Sequence, residues 1–225
     1  MKNTNNASRS DKRTILNASA VTFLILALIE FLPLGIPFKM VFPMVSLFVF
    51  GFFLQSWPII VAAFFSAVGD TFGYLDNMPP QIGAFALAQC FYIGYFLSRG
   101  LKMKKQGGVK GIWFAFCTLL AVGVYYICCE KVIPFAPEGV IRIGFYVYGG
   151  LVITMMWSAL MQKDWMWGIG GVLFVFSDAI IAINAFVTPV PHEGFIIMST
   201  YYAAQILIFL RCALEKDPSL LPVKK

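Results

Sequence analysis

Eight long apolar runs, separated by short polar linkers, constrain this chain more than any other feature of its sequence. They cover approximately residues Ile15–Ile36, Lys39–Gln55, Trp57–Leu75, Pro80–Ser98, Gly111–Cys129, Gly139–Met161, Met166–Phe186 and Phe195–Leu214. A helix needs about 20 mostly apolar residues to cross the hydrocarbon of a bilayer, and most of these runs approach that length. Inside hydrocarbon only helices and closed barrels satisfy their own backbone groups. A barrel strand alternates apolar and polar residues, and these runs do not alternate. The expected fold is therefore all-α: a polytopic membrane bundle of about eight helices. The bundle occupies 14–214, between an N-terminal tail at 1–13 and a C-terminal tail at 215–225.

Composition excludes the competing classes. Charged residues make up 12% of the 225 and apolar residues 60%, whereas a soluble domain carries about 25% charge. Soluble enzymes, disordered chains, nucleic-acid modules and disulfide scaffolds are set aside on that ground. The first run continues through Leu32-Pro33-Leu34-Gly35 without a small-residue cleavage site, so it reads as a span rather than a removed leader. Cys90, Cys117, Cys128, Cys129 and Cys212 all fall inside apolar runs and behave as small hydrophobes. His192 is the single histidine, which disfavours a zinc site of the usual imidazole-rich kind. No metal and no cofactor is expected.

The net charge of +6 is a matter of topology. Lys2, Arg9, Lys12, Arg13, Arg99, Lys102, Lys104, Lys105, Lys110, Lys163, Arg211, Lys216, Lys224 and Lys225 would share one side of an eight-span protein. Only Lys39, Lys131 and Arg142 fall on the other. Cytoplasmic loops collect Lys and Arg, so both termini are expected in the cytoplasm. The same charges suit anionic lipid headgroups, and no nucleic acid is needed to explain them. The Asn- and Lys-rich start points to a bacterial cytoplasmic membrane.

Ionisable groups within spans are costly and mark function. Three carboxylates lie there: Glu30, Asp70 and Asp178. Asp70 and Asp178 come thirteen and twelve residues after the starts of spans three and seven, which run the same way. At 1.5 Å per residue both lie roughly 18–20 Å from the cytoplasmic face, so they meet if the spans are close. Gln89 and Gln205, in spans running the opposite way, reach a similar depth. Tyr92 shares a helix face with Gln89, and Tyr201 shares one with Gln205. Lys39 and Arg142 stand at the outer entrances of spans two and six. This concentration of polar groups in the outer half implies a cavity reached from the non-cytoplasmic side.

A weak repeat accompanies the pattern. Phe65-Ser66-Ala67-Val68-Gly69-Asp70 is like Phe174-Val175-Phe176-Ser177-Asp178, and Ala86-Leu87-Ala88-Gln89 is like Tyr202-Ala203-Ala204-Gln205. Four helices per half would make this a 4+4 parallel duplication. Gly69-x-x-x-Gly73 and Gly168-Ile169-Gly170-Gly171 read as places where helices approach closely.

The segments Ser66–Asp70, Gly83–Tyr92, Phe176-Ser177-Asp178 through Asn184, and Thr200–Gln205 resemble, in that order, the YhhN/TMEM86 family of lysoplasmalogenases. This chain departs from the family's usual residues at Met40, where proline commonly follows the lysine, and at Gln89, where histidine is frequent. The resemblance implies hydrolysis of the vinyl-ether bond of a lysoplasmalogen, a lysophospholipid, to a fatty aldehyde and a glycerophospho-alcohol. Protonating the β-carbon of a vinyl ether creates an oxocarbenium ion that water attacks, so an acid and a carboxylate suffice, as in the glycosidases. Two carboxyls in a low-dielectric chamber do not readily both ionise, so one is suited to hold a proton. Asp70 and Asp178 are the expected catalytic pair, with the acid unassigned.

Gln89, Tyr92, Tyr148, Asn184, Tyr201 and Gln205 would orient water or glycerol, and Lys39 and Arg142 suit a phosphate. Plainer roles stand beside these: interhelical hydrogen bonds for the aspartates and glutamines, snorkelling for the two cations, and a Glu30–Lys39 pair. A proton-coupled transporter or lipid flippase is the rival function. An aspartyl protease would want glycine at Ala67. The oligomeric state is open.

Overall fold

The computed structural model describes residues 2–104 and 111–220, with side chains at 10–100 and 111–220. The lysines at 105, 110, 224 and 225, counted above toward orientation, lie outside the described residues, as do the side chains of Lys2, Arg9, Lys102 and Lys104. Among the described residues the regular structure is entirely helical: α1 (Lys2–Glu30), α2 (Phe42–Leu54), α3 (Trp57–Tyr74), α4 (Met78–Lys104), α5 (Gly111–Lys131), α6 (Val140–Leu160), α7 (Trp165–Phe186) and α8 (Glu193–Lys216). The first helix runs back through the stretch read as a tail.

Seven of these helices are long and apolar enough to cross a membrane. The second run is the exception, a 3-10 turn at Lys39–Val41 followed by the 13 residues of α2. Thirteen residues extend about 20 Å, well short of a bilayer core of about 30 Å. Two local causes shorten it. Phe38 adopts a left-handed conformation (φ 56°) ahead of the turn, and Pro43 then sets the start of α2. At the other end Gln55 and Ser56 are extended, and Pro58 starts α3 immediately.

The helices α1, α2, α3, α4, α6, α7 and α8 form a closed ring in that order, with α8 returning to α1. Helix α5 stands outside and packs on α6. The two most intimate pairs rest on glycine. A Cβ at Gly69 would lie 2.8 Å from the Phe85 ring, and one at Gly73 would lie 2.7 Å from the Gln81 amide, so α3 and α4 close on each other there. At Gly170 a Cβ would meet Ile208 at 2.8 Å, bringing α7 against α8. Both glycine patterns therefore act as close-approach sites.

Both termini of the bundle lie at one end, where the Lys12 ammonium pairs with Asp217 at 2.8 Å. A charged clamp sits close by. The Arg99 and Arg211 guanidinium groups each lie 4.6 Å from the ring of fully buried Trp167. Arg211 pairs with Asp164 at 2.6 Å, Glu215 pairs with both arginines, and Asp164 also accepts the Met166 and Trp167 amides at the start of α7. Buried glutamines complete this half: Gln55 donates to the Phe209 carbonyl and Gln162 to that of Phe96.

Candidate active site

The opposite half of the bundle holds a chamber of about 360 Å³ inside the ring, walled by α1, α3, α4, α7 and α8. Asp70 and Asp178 both face it, together with Ser177, Tyr201 and Phe85. Glu30, Gln81 and Glu193 line it toward the far end of the bundle. The volume falls within the 300–1,000 Å³ typical of small-molecule sites.

Each aspartate accepts a hydrogen bond from a tyrosine on another helix. Tyr201 on α8 donates to Asp70 Oδ2 at 3.2 Å, and Tyr148 on α6 donates to Asp178 Oδ2 at 2.6 Å. Asp70 is 2% exposed, whereas Asp178 is only partly buried. One helical turn below, Gln205 joins a second tier: its Nε2 donates to Ser66 Oγ at 3.2 Å and its Oε1 accepts from Tyr92 at 2.7 Å. The tiers follow from helical spacing, since Ser66 precedes Asp70 by four residues and Gln205 follows Tyr201 by four. Helices α3 and α8 are thereby tied twice.

Gln89 is fully buried and stands beside Tyr148, yet neither of its amide atoms reaches hydrogen-bond geometry with a partner. Lys39, Arg142 and Asn184 engage loops instead of the chamber wall. The Lys39 ammonium is bound by the carbonyls of Glu30 (2.6 Å) and Leu32 (2.8 Å), closing the end of α1. It meets the backbone of Glu30, and no ion pair between their side chains forms among the described residues. Arg142 donates twice to the Ala136 carbonyl and pairs with Glu138 at 3.3 Å. Asn184 accepts the Val190 amide at 2.9 Å and so shapes the α7–α8 loop.

Among the wall residues that escape a reading by sequence are Gln81, Glu193 and Phe85. Gln81 follows Pro79-Pro80 and Glu193 follows His192, so both look like linker residues. The signal for Phe85 was its spacing, four residues from Gln81 and four from Gln89 on one face of α4.

The wall thus combines Asp70 and Asp178, each with a phenolic donor, the carboxyls of Glu30 and Glu193, and the apolar side chains of Phe85, Ile181, Ile197 and Met198. It suits a reaction in which a proton is delivered and a developing positive charge is stabilised next to hydrocarbon.

Comparison with known proteins agrees with this picture. The chain is 32% identical over 186 residues to human lysoplasmalogenase TMEM86A, covering 74% of this chain and 71% of the relative. It is 32% identical over 160 residues to mouse lysoplasmalogenase TMEM86B, covering 69% and 63%. With human lysoplasmalogenase TMEM86B the identity is 33% over 146 residues, covering 64% and 58%, so the chain spans somewhat under two thirds of the TMEM86B relatives. No solved structure matches. The model of the YhhN family matches residues 35–212, from the loop before α2 almost to the end of α8 and with both aspartate helices inside it. This multi-pass membrane chain belongs to the YhhN family.

Proposed function

We propose that this protein is a lysoplasmalogenase, hydrolysing the vinyl-ether bond of a lysoplasmalogen to a fatty aldehyde and a glycerophospho-alcohol. The activity named for its relatives and the chemistry of the chamber point the same way. The observation that carries the reading is the presence of Asp70 and Asp178 on the wall of one chamber. One carboxyl transfers its proton to the β-carbon of the vinyl ether, whose π bond becomes an oxocarbenium ion. The other carboxylate stabilises that cation and takes a proton from the water that adds to it. The resulting hemiacetal collapses to the aldehyde and the free glycerol hydroxyl. Tyr201 and Tyr148 keep the two carboxyls in place, Tyr92 and Gln205 join α3, α4 and α8 one turn below, Gln89 lies beside Tyr148, and no metal takes part. Lys39, Arg142 and Asn184 shape the loops at that end of the bundle through their backbone partners and stand outside the chamber wall.

Both termini lie in the cytoplasm, because cationic residues gather at their end of the chain. The chamber then opens toward the other face of what we take to be a bacterial cytoplasmic membrane. Helices α3 and α7 run unbroken through their aspartates, which favours hydrolysis over the carrier reading, since carriers of this size commonly use interrupted helices. Purified protein in detergent is expected to release aldehyde from a lysoplasmalogen in the presence of a chelator. Lipid moved into vesicles without chemical change, and no aldehyde, would favour transport instead.

A further inference from the structure

Asp178 borders two spaces. One is the chamber inside the ring; the other is a narrow slot of about 50 Å³ outside it, where the end of α5 and the turn that follows it lie over α6 and α7. The two spaces approach each other across α7. Ser177 and Ile181 face the chamber, Val175, Ala179 and Ala182 face the slot, and Asp178 belongs to both walls. Tyr148, the donor to Asp178, also lines the slot. Apart from Asp178, the tyrosine hydroxyl and the Cys128 thiol, the slot is walled by hydrocarbon: Val132, Ile133, Phe145, Val152 and Ile153 among others.

A lysolipid has a polar head and one hydrocarbon tail joined at the vinyl ether. A polar space and an apolar space that meet at one carboxyl reproduce that division. We propose that the slot between α5, α6 and α7 is the subsite for the first methylenes of the substrate's hydrocarbon chain, with the headgroup in the chamber and the vinyl ether against Asp178. The proposal rests on the lysoplasmalogenase reading and adds to it where the tail leaves the ring and which aspartate the double bond touches. It also assigns a task to the end of α5 and the turn that follows it: Cys128, Val132 and Ile133 form the outer wall of the chain subsite.

The test fills the slot from opposite sides, with Cys128→Leu on α5 and Ala179→Leu on α7. Activity is measured on two lysoplasmenyl-ethanolamines, one with a hexadecenyl chain and one with an ethenyl group, which carries no methylene to place in the slot. Each variant is expected to lower kcat/KM about tenfold for the long chain, the effect of about two methylenes losing their burial. The short-chain substrate should change by less than about twofold on the same ground. Equal losses on both chains, or no loss on the long one, would overturn the proposal. Cys128→Leu carries the test should Ala179→Leu fail to fold, because α5 lies outside the ring. Binding of a non-hydrolysable hexadecyl-ether lysolipid supplies a readout without turnover. Weaker binding in the variants supports the slot even if the wild type releases no aldehyde, and unchanged binding rejects it.

Discussion

Asp70 and Asp178 face the same chamber although their helices, α3 and α7, are not neighbours in the ring. The distance between them in the ring is bridged by space, not by contact. Helix α8 holds Asp70 through Tyr201, and α6 holds Asp178 through Tyr148. Two carboxyls set across a cavity, each restrained by a separate helix, are arranged to act on a molecule placed between them.

The tyrosines are positioning residues, and replacing either by phenylalanine removes only a hydroxyl. Tyr148→Phe and Tyr201→Phe should each lower kcat about tenfold, as expected for losing one hydrogen bond of about 1–1.5 kcal/mol. Steady-state aldehyde release measures it. Full activity in both variants would detach the phenols from the reaction.

Helix packing at the glycines predicts a contrast. Gly170→Val should destabilise the protein by about 1–3 kcal/mol through overpacking, because its Cβ would meet Ile208 at 2.8 Å and the Ala204 carbonyl at 3.2 Å. Gly83→Ala should leave stability unchanged or raise it by about 0.5–1 kcal/mol, because nothing lies within 4 Å of a Cβ there. Thermal unfolding in detergent compares the two. Similar melting points for both variants would contradict the close approach of α7 and α8.

Trp167 is the centre of the opposite end. Trp167→Ala should cost about 3–5 kcal/mol, the range for a buried large aromatic, with the two cation–π contacts adding to the loss. Arg211→Lys should be milder yet measurable, since lysine cannot both stack on the ring and hold Asp164 as arginine does. Both effects belong to stability. The Arg211→Lys protein that remains folded should keep its KM, because the clamp lies in the other half of the bundle from the chamber.

The pair linking the two ends of the chain has a pH dependence of known sign. The hydrogen bond from Lys12 holds the Asp217 carboxyl down at about 2. Its folded value lies below the unfolded value of about 3.9. The pair therefore contributes at pH above about 4 and loses its contribution as pH falls toward 2. The melting difference between wild type and Lys12→Gln should be small, as for exposed pairs, and should vanish on acidification. A difference that grows at low pH would show the sign to be wrong.

Much of the site could be read in the sequence because depth in a membrane helix is nearly a count of residues. Counting from the ends of spans three and seven brought Asp70 and Asp178 to one level, and i, i+4 spacing paired Ser66 with Asp70 and Tyr201 with Gln205. What counting lacks is azimuth and neighbour order. The ring leaves α5 outside, packed on α6, a placement that no count along the chain reveals. Lys39 and Arg142 show a second gap. Their charge marks them as binders of something negative, and backbone carbonyls at helix ends and turns, which no sequence pattern displays, meet that need. The short α2 arises from a left-handed residue at Phe38, a non-glycine in a conformation that propensity does not anticipate.

The most direct measurement is aldehyde release by Asp70→Asn and Asp178→Asn, each shown to fold by its melting curve. Asparagine keeps the size of the side chain and removes both the transferable proton and the negative charge. Each variant should lose at least about 100- to 10,000-fold in kcat, the range for a general acid or base. Wild-type turnover in either one would contradict the shared-chamber mechanism.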